Sequence, residues 1–220
     1  MIDKFIEIQK ELSRKIKIED RIEINKINKV AGIDCSFVEK DGYTIGISCI
    51  VVMDKQFNIL ETQFGEDKVD IPYIPTFLAF REIPVIMKAY NKLKETADIF
   101  ILDGQGILHP RKMGIATHFG VLTDTVTVGC GKSHLYGKFS PPPNENMTKS
   151  PVYVEGKIYG YALRVKKNTN PIFISPGNNI SVNSSLYAII NNLKGYKIPE
   201  AIRIAHNFLR EYRKKFIQED

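Results

Sequence analysis

The sequence predicts an α/β domain with a mixed sheet flanked by helices, and two observations carry that prediction. First, strand-like runs at residues 29–37, 43–51 and 59–64 follow one another across short turn signals, which makes them an antiparallel series. Second, the chain then alternates helical and strand patterns, which builds helices onto a sheet with parallel pairs.

The elements follow in order. Ile2, Phe5, Ile6, Ile8, Leu12 and Ile16 fall near helical spacing, so an amphipathic helix is expected over 2–17. Asp41-Gly42 is a tight-turn signal. After it, Tyr43, Ile45, Ile47, Cys49 and Val51 alternate with Thr44, Gly46, Ser48 and Ile50, as in a half-buried strand. A second turn at 54–58 leads to the third strand, and the two prolines of 70–75 mark a loop. Ile86, Ala89, Tyr90, Leu93 and Ala97 predict a helix from Phe80, with Pro84 in its first turn. Residues 98–102 form a short apolar run that suits a strand covered on both faces. A helix over 113–122 and a strand over 125–129 come next, and the proline-rich stretch 140–150 reads as a surface loop. Strands at 152–153, 159–165 and 171–175 precede two helices, marked by Leu186, Ile189, Ile190 and Leu193 and by Ala201, Ala205, Phe208, Leu209 and Tyr212. One domain over 1–220 is expected.

Composition narrows the function classes. A hydrophobic share of 43% with 25% charged residues belongs to a globular chain. No apolar run approaches the roughly 18 residues that span a bilayer, and no export signal is visible. Three cysteines, Cys35, Cys49 and Cys130, suit neither a disulfide framework nor a zinc site, so a reducing, cytoplasmic setting is expected. The net charge of +6 would concentrate polyanions at the surface. Lysine-rich composition is the competing account.

Ligands in open α/β sheets gather at the carboxyl ends of strands, here the loops after Ile33, Leu102 and Val128. Asp34 stands among apolar strand residues, where a carboxylate is costly to desolvate unless it binds a cation or is well hydrogen-bonded. The alternative is a solvated, outward-facing position. Asp103 ends a buried strand and opens Gly104-Gln105-Gly106, where backbone can approach a phosphate, although Asp-Gly is also an ordinary turn. Glu82 opens a helix, where charge compensation of the helix dipole competes with a chemical role. Together these carboxylates offer the oxygen donors that Mg²⁺ and Mn²⁺ prefer. His109 near Asp103, and Lys132 after Gly129-Cys130-Gly131, add possible donors for a phosphate. Tyr73, held between Pro72 and Pro75, suits either stacking on a base or packing a turn. His118, His134 and His206 have no comparable setting and read as structural or surface residues.

These segments resemble the endonuclease V family in several places: Val30-Ala31-Gly32-Ile33-Asp34, Pro72-Tyr73-Ile74-Pro75 with Phe80-Arg81-Glu82, and Asp103-Gly104-Gln105-Gly106 with His109-Pro110-Arg111. Gly114-Ile115-Ala116-Thr117-His118-Phe119-Gly120 and Lys132-Ser133 continue the series in order. The resemblance implies a ribonuclease H-like fold and Mg²⁺- or Mn²⁺-dependent cleavage of the second phosphodiester 3′ to deoxyinosine. Such cleavage leaves 3′-hydroxyl and 5′-phosphate ends. It implies that Asp34 and Asp103 ligate metal, with Glu82 completing the site directly or through water, and that His109 and Lys132 support the scissile phosphate. It makes 72–75 a strand-separating wedge, and places main chain near Leu78, Gly104 and Ile115 around the extruded base. The expected partner is deoxyinosine-containing DNA, with inosine-containing RNA the nearest alternative, and the expected assembly is a monomer. An inactive nucleic-acid-binding module is a different reading, against which the intact carboxylates weigh. A small-molecule metalloenzyme would leave Tyr73 and the basic charge unexplained. Two positions depart from the family pattern. Thr76 replaces a glycine and is expected to narrow the base pocket or move its backbone, and Asn178 replaces a histidine near the metal site.

Overall fold

The computed structural model describes residues 1–217 and arranges them around one eight-stranded sheet of order β3-β2-β1-β4-β5-β8-β7-β6. The strands are β1 (Lys29–Lys40), β2 (Tyr43–Asp54), β3 (Ile59–Lys68), β4 (Ile99–Leu102), β5 (Thr127–Gly131), β6 (Thr148–Val154), β7 (Lys157–Arg164) and β8 (Ile172–Asn178). The helices are α1 (Ile2–Ser13), α2 (Leu78–Tyr90), α3 (Ile115–Thr123), α4 (Val182–Asn191) and α5 (Glu200–Ile217). Strands β1, β2 and β3 are antiparallel, β4 and β5 run parallel to β1, and the remaining strands return antiparallel.

Asp41 and Gly42 both take positive φ, 52° and 77°, which matches the right-handed twist of the hairpin they close. Strand β2 is not half-buried as its alternation suggested: it is buried on both faces from Gly46 to Met53. Ile47, Cys49, Val51 and Met53 join the core under α5, whereas Ile50 and Val52 join the core under α2. The small polar positions of the alternation are there for helix packing. The Ser48 hydroxyl donates to the Val85 carbonyl at 2.8 Å, in a buried contact with α2.

Three further expectations are corrected. Helix α1 stops at Ser13 because the backbone of Lys17 is committed elsewhere: its N–H donates to Asn178 Oδ1 at 3.0 Å and its carbonyl accepts from Asn179 at 2.7 Å. Helix α2 begins at Leu78, which places Pro84 in the helix interior, on its exposed side, and Glu82 beyond the first turn. Compensation of the helix dipole, which fades beyond the first turn, is therefore a poor account of Glu82. Strand β6 starts at Thr148, inside the segment read as a loop. All three cysteines are free thiols, and no helix among the described residues is long and apolar enough to cross a membrane.

The site follows from a mismatch in strand length. The parallel pairing of β1 with β4 ends at Ile33 and Leu102, yet β1 runs on to Lys40. There is no loop after Ile33. Asp34 and Asp103 are instead the first residues beyond the last pair, and the Asp103 N–H donates to the Ile33 carbonyl at 3.1 Å. The two carboxylates thus stand beside each other in a notch where β4 stops.

Candidate active site

Alternation along β1 sends Gly32 and Asp34 to the α5 side and Ile33 to the α2 side. Asp34 is buried, and each of its carboxylate oxygens is engaged. Oδ1 accepts the Cys35 N–H at 2.9 Å, and Oδ2 lies 2.9 Å from Nδ1 of His206 on α5. Asp103 accepts a short hydrogen bond from Lys132, just past the end of β5. Asp34, Asp103, Lys132 and His206 line one cavity of about 300 Å³. Glu82 approaches from α2, close enough to feel both aspartates.

Burial first, and mutual repulsion second, disfavour charge on the carboxylates of this site. Desolvation first, then repulsion from Asp34 and Asp103, pushes the Glu82 carboxyl up to about 8. Desolvation and the charge of Asp103 also raise Asp34 above the usual carboxylate range. Burial works against the Lys132 ammonium, but the Asp103 carboxylate outweighs it and raises its pKa. An amine already occupies the place where a cation is wanted. Among the described residues, no three His, Cys, Asp or Glu side chains close into a ready ligand group. Two or three spaced carboxylates are what Mg²⁺ uses when waters and substrate phosphates complete its shell.

The Glu82 shift has a consequence for stability. A carboxyl raised from 4.5 to about 8 keeps its proton in the folded state while the unfolded chain has lost it, so stability falls as pH rises through that window. Metal-free protein is expected to melt at progressively lower temperature between about pH 5 and pH 8. Glu82→Gln should flatten that trend, and Mg²⁺ should raise melting more at the alkaline end. Parallel pH trends for the wild type and Glu82→Gln would show that Glu82 ionises normally.

A second, smaller pocket of about 80 Å³ opens on the same turn, with Gln105, two residues after Asp103, in its lining together with Tyr73, Thr76, Leu78, His109 and Ile115. Gly104 takes φ of 154° where a Cβ would come within 2.6 Å of Ile115, so glycine lets this turn close against α3. Pro72, Tyr73 and Pro75 are exposed, Tyr73 by 66%, and Ile74 is half-buried. An exposed tyrosine on a proline-fixed loop has no core to fill, which removes the turn-packing account. Tyr73→Ala is expected to leave the melting temperature unchanged and to weaken binding of a nucleic-acid strand by about 1–3 kcal/mol. Unaltered affinity would return Tyr73 to a passive surface role.

Thr76 holds a left-handed backbone conformation that glycine adopts more readily. Its φ is 69°, and its carbonyl accepts from Gln9 at 3.0 Å, His109 at 2.9 Å and Arg111 at 3.3 Å. Arg111 also donates to the Thr76 hydroxyl at 2.6 Å. Those bonds offset the cost of a left-handed threonine. His109 is therefore not free beside Asp103. Its Nδ1 accepts from the backbone N–H groups of Arg111 and Met113 at 3.2 and 3.3 Å, and its Nε2 faces the Thr76 carbonyl. Burial pulls its pKa down to about 4, so the ring is neutral.

His206 is the residue that sequence reasoning missed. Its sequence setting reads as structural or surface, yet from α5 it meets Asp34 on the same face of the sheet. The available signal was its place on α5: Ile202, His206 and Leu209 follow helical spacing, so a histidine interrupts an apolar stripe. Gln9 was missed in the same way on α1, where it is fully buried.

Asn178 does not reach this site. It pairs with Thr127 at the start of β5, the end opposite Lys132, and is buried with Oδ1 on Lys17 and Nδ2 donating to the Gly120 carbonyl at 3.0 Å. The expectation of a lost metal-site histidine is corrected accordingly. Asn178→His should cost about 1–3 kcal/mol in broken buried hydrogen bonds, read by thermal melting, with pH–rate profiles that superimpose on wild type. A new step in the profile near the histidine pKa would restore the earlier reading.

Comparison with known proteins now bears on this geometry. Residues 10–207 match the family model described as endonuclease V. The chain belongs to the endonuclease V family. An endonuclease V of Thermosipho melanesiensis is 39% identical over 217 residues, covering 99% of this chain and 93% of that protein. The crystal structure of endonuclease V from Bacillus subtilis superposes with a TM-score of 0.91 at 32% identity, over 98% of this chain and 94% of that one. Endonuclease V of Ciona intestinalis, solved in complex with a 24mer DNA containing an inosine followed by a ribo-adenosine, superposes with a TM-score of 0.83 at 27% identity, over 97% and 98% of the two chains. The fold is ribonuclease H-like, as the resemblance implied, and membership of the endonuclease V family makes the chain a phosphodiester hydrolase.

Proposed function

We propose that this chain nicks DNA at the second phosphodiester 3′ to deoxyinosine in the repair of deaminated adenine, using Mg²⁺ or Mn²⁺. The observation that carries the reading is that one turn, Asp103 to Gln105, contributes to both the carboxylate notch and a pocket lined by an exposed tyrosine. The first suits phosphodiester hydrolysis, and the second suits an extruded base. Asp34 and Asp103 would hold the ion, with Glu82 completing the site directly or through water. Such an ion, when bound, supplies charge to the phosphodiester and acidifies attacking water.

The chain's own groups divide the rest. His206 fixes the orientation of Asp34. Lys132 sits at the mouth of the notch, where its ammonium serves the scissile phosphate once Asp103 is engaged by a cation. Residues 72–75 form the wedge, with Tyr73 outermost, and the main chain near Leu78, Gly104 and Ile115 borders the base pocket. His109 is a positioning residue in this scheme: it holds the Thr76 carbonyl, and through it the wedge loop, rather than touching phosphate. We place the enzyme in the cytoplasm as a monomer, a setting its free thiols suit.

One second reading has an observation in its favour. The Ciona relative was solved with a DNA in which a ribo-adenosine follows the inosine, which supports an inosine-directed endoribonuclease acting through the same residues. Cleavage of matched inosine- and adenosine-containing single-stranded DNA, duplex DNA and RNA, with Mg²⁺ and with Mn²⁺, tests both. The expected result is a single cut in inosine-containing DNA. Cleavage confined to RNA would transfer the assignment to the second reading, and equal cutting of adenosine strands would remove the lesion specificity.

A further inference from the structure

The cavity above the carboxylates is walled on one side by α5, and that wall is cationic. Arg210 and Arg213, three residues apart on the helix, line it beyond His206 and Leu209, with Lys132 also in the lining. The Nε of Arg213 is sealed from water and has no hydrogen-bond partner, one of four buried side-chain polar atoms in that condition among the described residues. Among the described residues Arg210 meets only Glu211 within ion-pair range, with 3.8 Å between the charged atoms and both side chains more than half exposed. Such a pair is weak and easily exchanged.

Two features make this wall more than surplus charge. A guanidinium cannot discharge itself, so Arg213 keeps a fixed positive charge in the cavity lining at any working pH. Moreover, without these arginines the charged lining would set two aspartates against one lysine, and a polyanion would be repelled from the cavity. The planar fork of an arginine matches the paired oxygens of a phosphodiester.

We infer that Arg210 and Arg213 form a phosphate subsite on α5 that holds a backbone phosphodiester of the bound strand, apart from the bond being cut. The inference rests on the nuclease reading of the cavity, but not on its preference for inosine. The carboxylate floor and Lys132 serve the scissile group, and the α5 wall grips the strand as it leaves.

The test is direct binding of fluorescent single-stranded oligonucleotides, inosine-containing and adenosine-containing, in EDTA. Arg213→Gln and Arg210→Gln are each expected to weaken both strands by a similar factor, roughly tenfold for a lost charged hydrogen bond. The slope of log K against log salt should fall by about 0.7 for one lost contact. Methylphosphonate linkages placed singly along the strand should then reveal one position that weakens wild-type binding but adds nothing to Arg213→Gln. Arg213→Lys should retain the salt slope and lose part of the affinity. If Arg213→Gln does not fold, Arg210→Gln and Arg213→Lys decide the matter by the same two readouts. An unchanged salt slope, or methylphosphonate penalties that persist in the variants at every position, would overturn the subsite. Equal wild-type affinity for inosine and adenosine strands would instead count against lesion recognition and leave the subsite standing.

Discussion

Asp34→Asn or Asp103→Asn is expected to slow cleavage of an inosine-containing strand by about a thousandfold or more, while affinity for that strand stays within a few-fold of wild type. Each change preserves the shape of the side chain and removes one negative charge from the notch beside the end of β4. Charge supplied to a phosphodiester by a held cation is worth several kcal/mol, and about 4 kcal/mol corresponds to a factor of roughly 10³. Under the proposed function binding survives, because strand affinity would then come from the cationic and aromatic surfaces rather than from the carboxylates. The measurement is single-turnover cleavage at matched Mg²⁺, beside binding in EDTA. A second readout separates electrostatics from misfolding. Because Asp34 and Asp103 help to push Glu82 up to about 8, either substitution should move the Glu82 titration down. Near-normal turnover in one variant would remove that aspartate from the chemistry.

Which parts of this site could be read from the sequence depends on how local the physical cause is. Asp41-Gly42 announces its turn because two successive positive φ values restrict the residues that fit. Asp103 is visible for a similar reason, as the polar end of a continuous apolar run. The run of β1 past Asp34 to Lys40 has no such signature, because the notch is made by where β4 stops, sixty-odd residues later. The alternation in β2 misleads because Gly46 and Ser48 look like a solvent face, whereas small residues are what a closely packed helix requires. His206 meets Asp34 across 172 positions, and only the packing of α5 on β1 brings them together. Asn178 fails in the opposite direction. Its neighbours Pro176 and Gly177 suggested a family match, but strand register sends it to the far end of β5.

Gly32→Ala is expected to damage both the fold and the site, because α5 rests its backbone on that residue. A Cβ at position 32 would lie 2.3 Å from the Ala201 carbonyl carbon, 2.5 Å from its oxygen and 2.5 Å from the Ile202 nitrogen. No side chain can swing aside to relieve this contact, so the start of α5 must move as a body or the strand must yield. Overpacking of this kind costs about 1–3 kcal/mol, which in a chain of this size lowers melting by roughly 2–4 °C per kcal/mol. Gly195→Ala supplies the control. Gly195 has φ of 73° with nothing within 4 Å of a new Cβ, so it reports backbone strain alone. The functional loss should exceed the stability loss, since Gly32 and Asp34 face the same helix and α5 carries His206, Arg210 and Arg213 into the cavity. Folded Gly32→Ala protein should therefore bind both inosine and adenosine strands more weakly in EDTA and cleave more slowly at saturating strand, a combination that Gly195→Ala should not show. Should Gly32→Ala instead melt and cleave like Gly195→Ala, the close seating of α5 on β1 would be wrong, and with it the placement of His206 against Asp34.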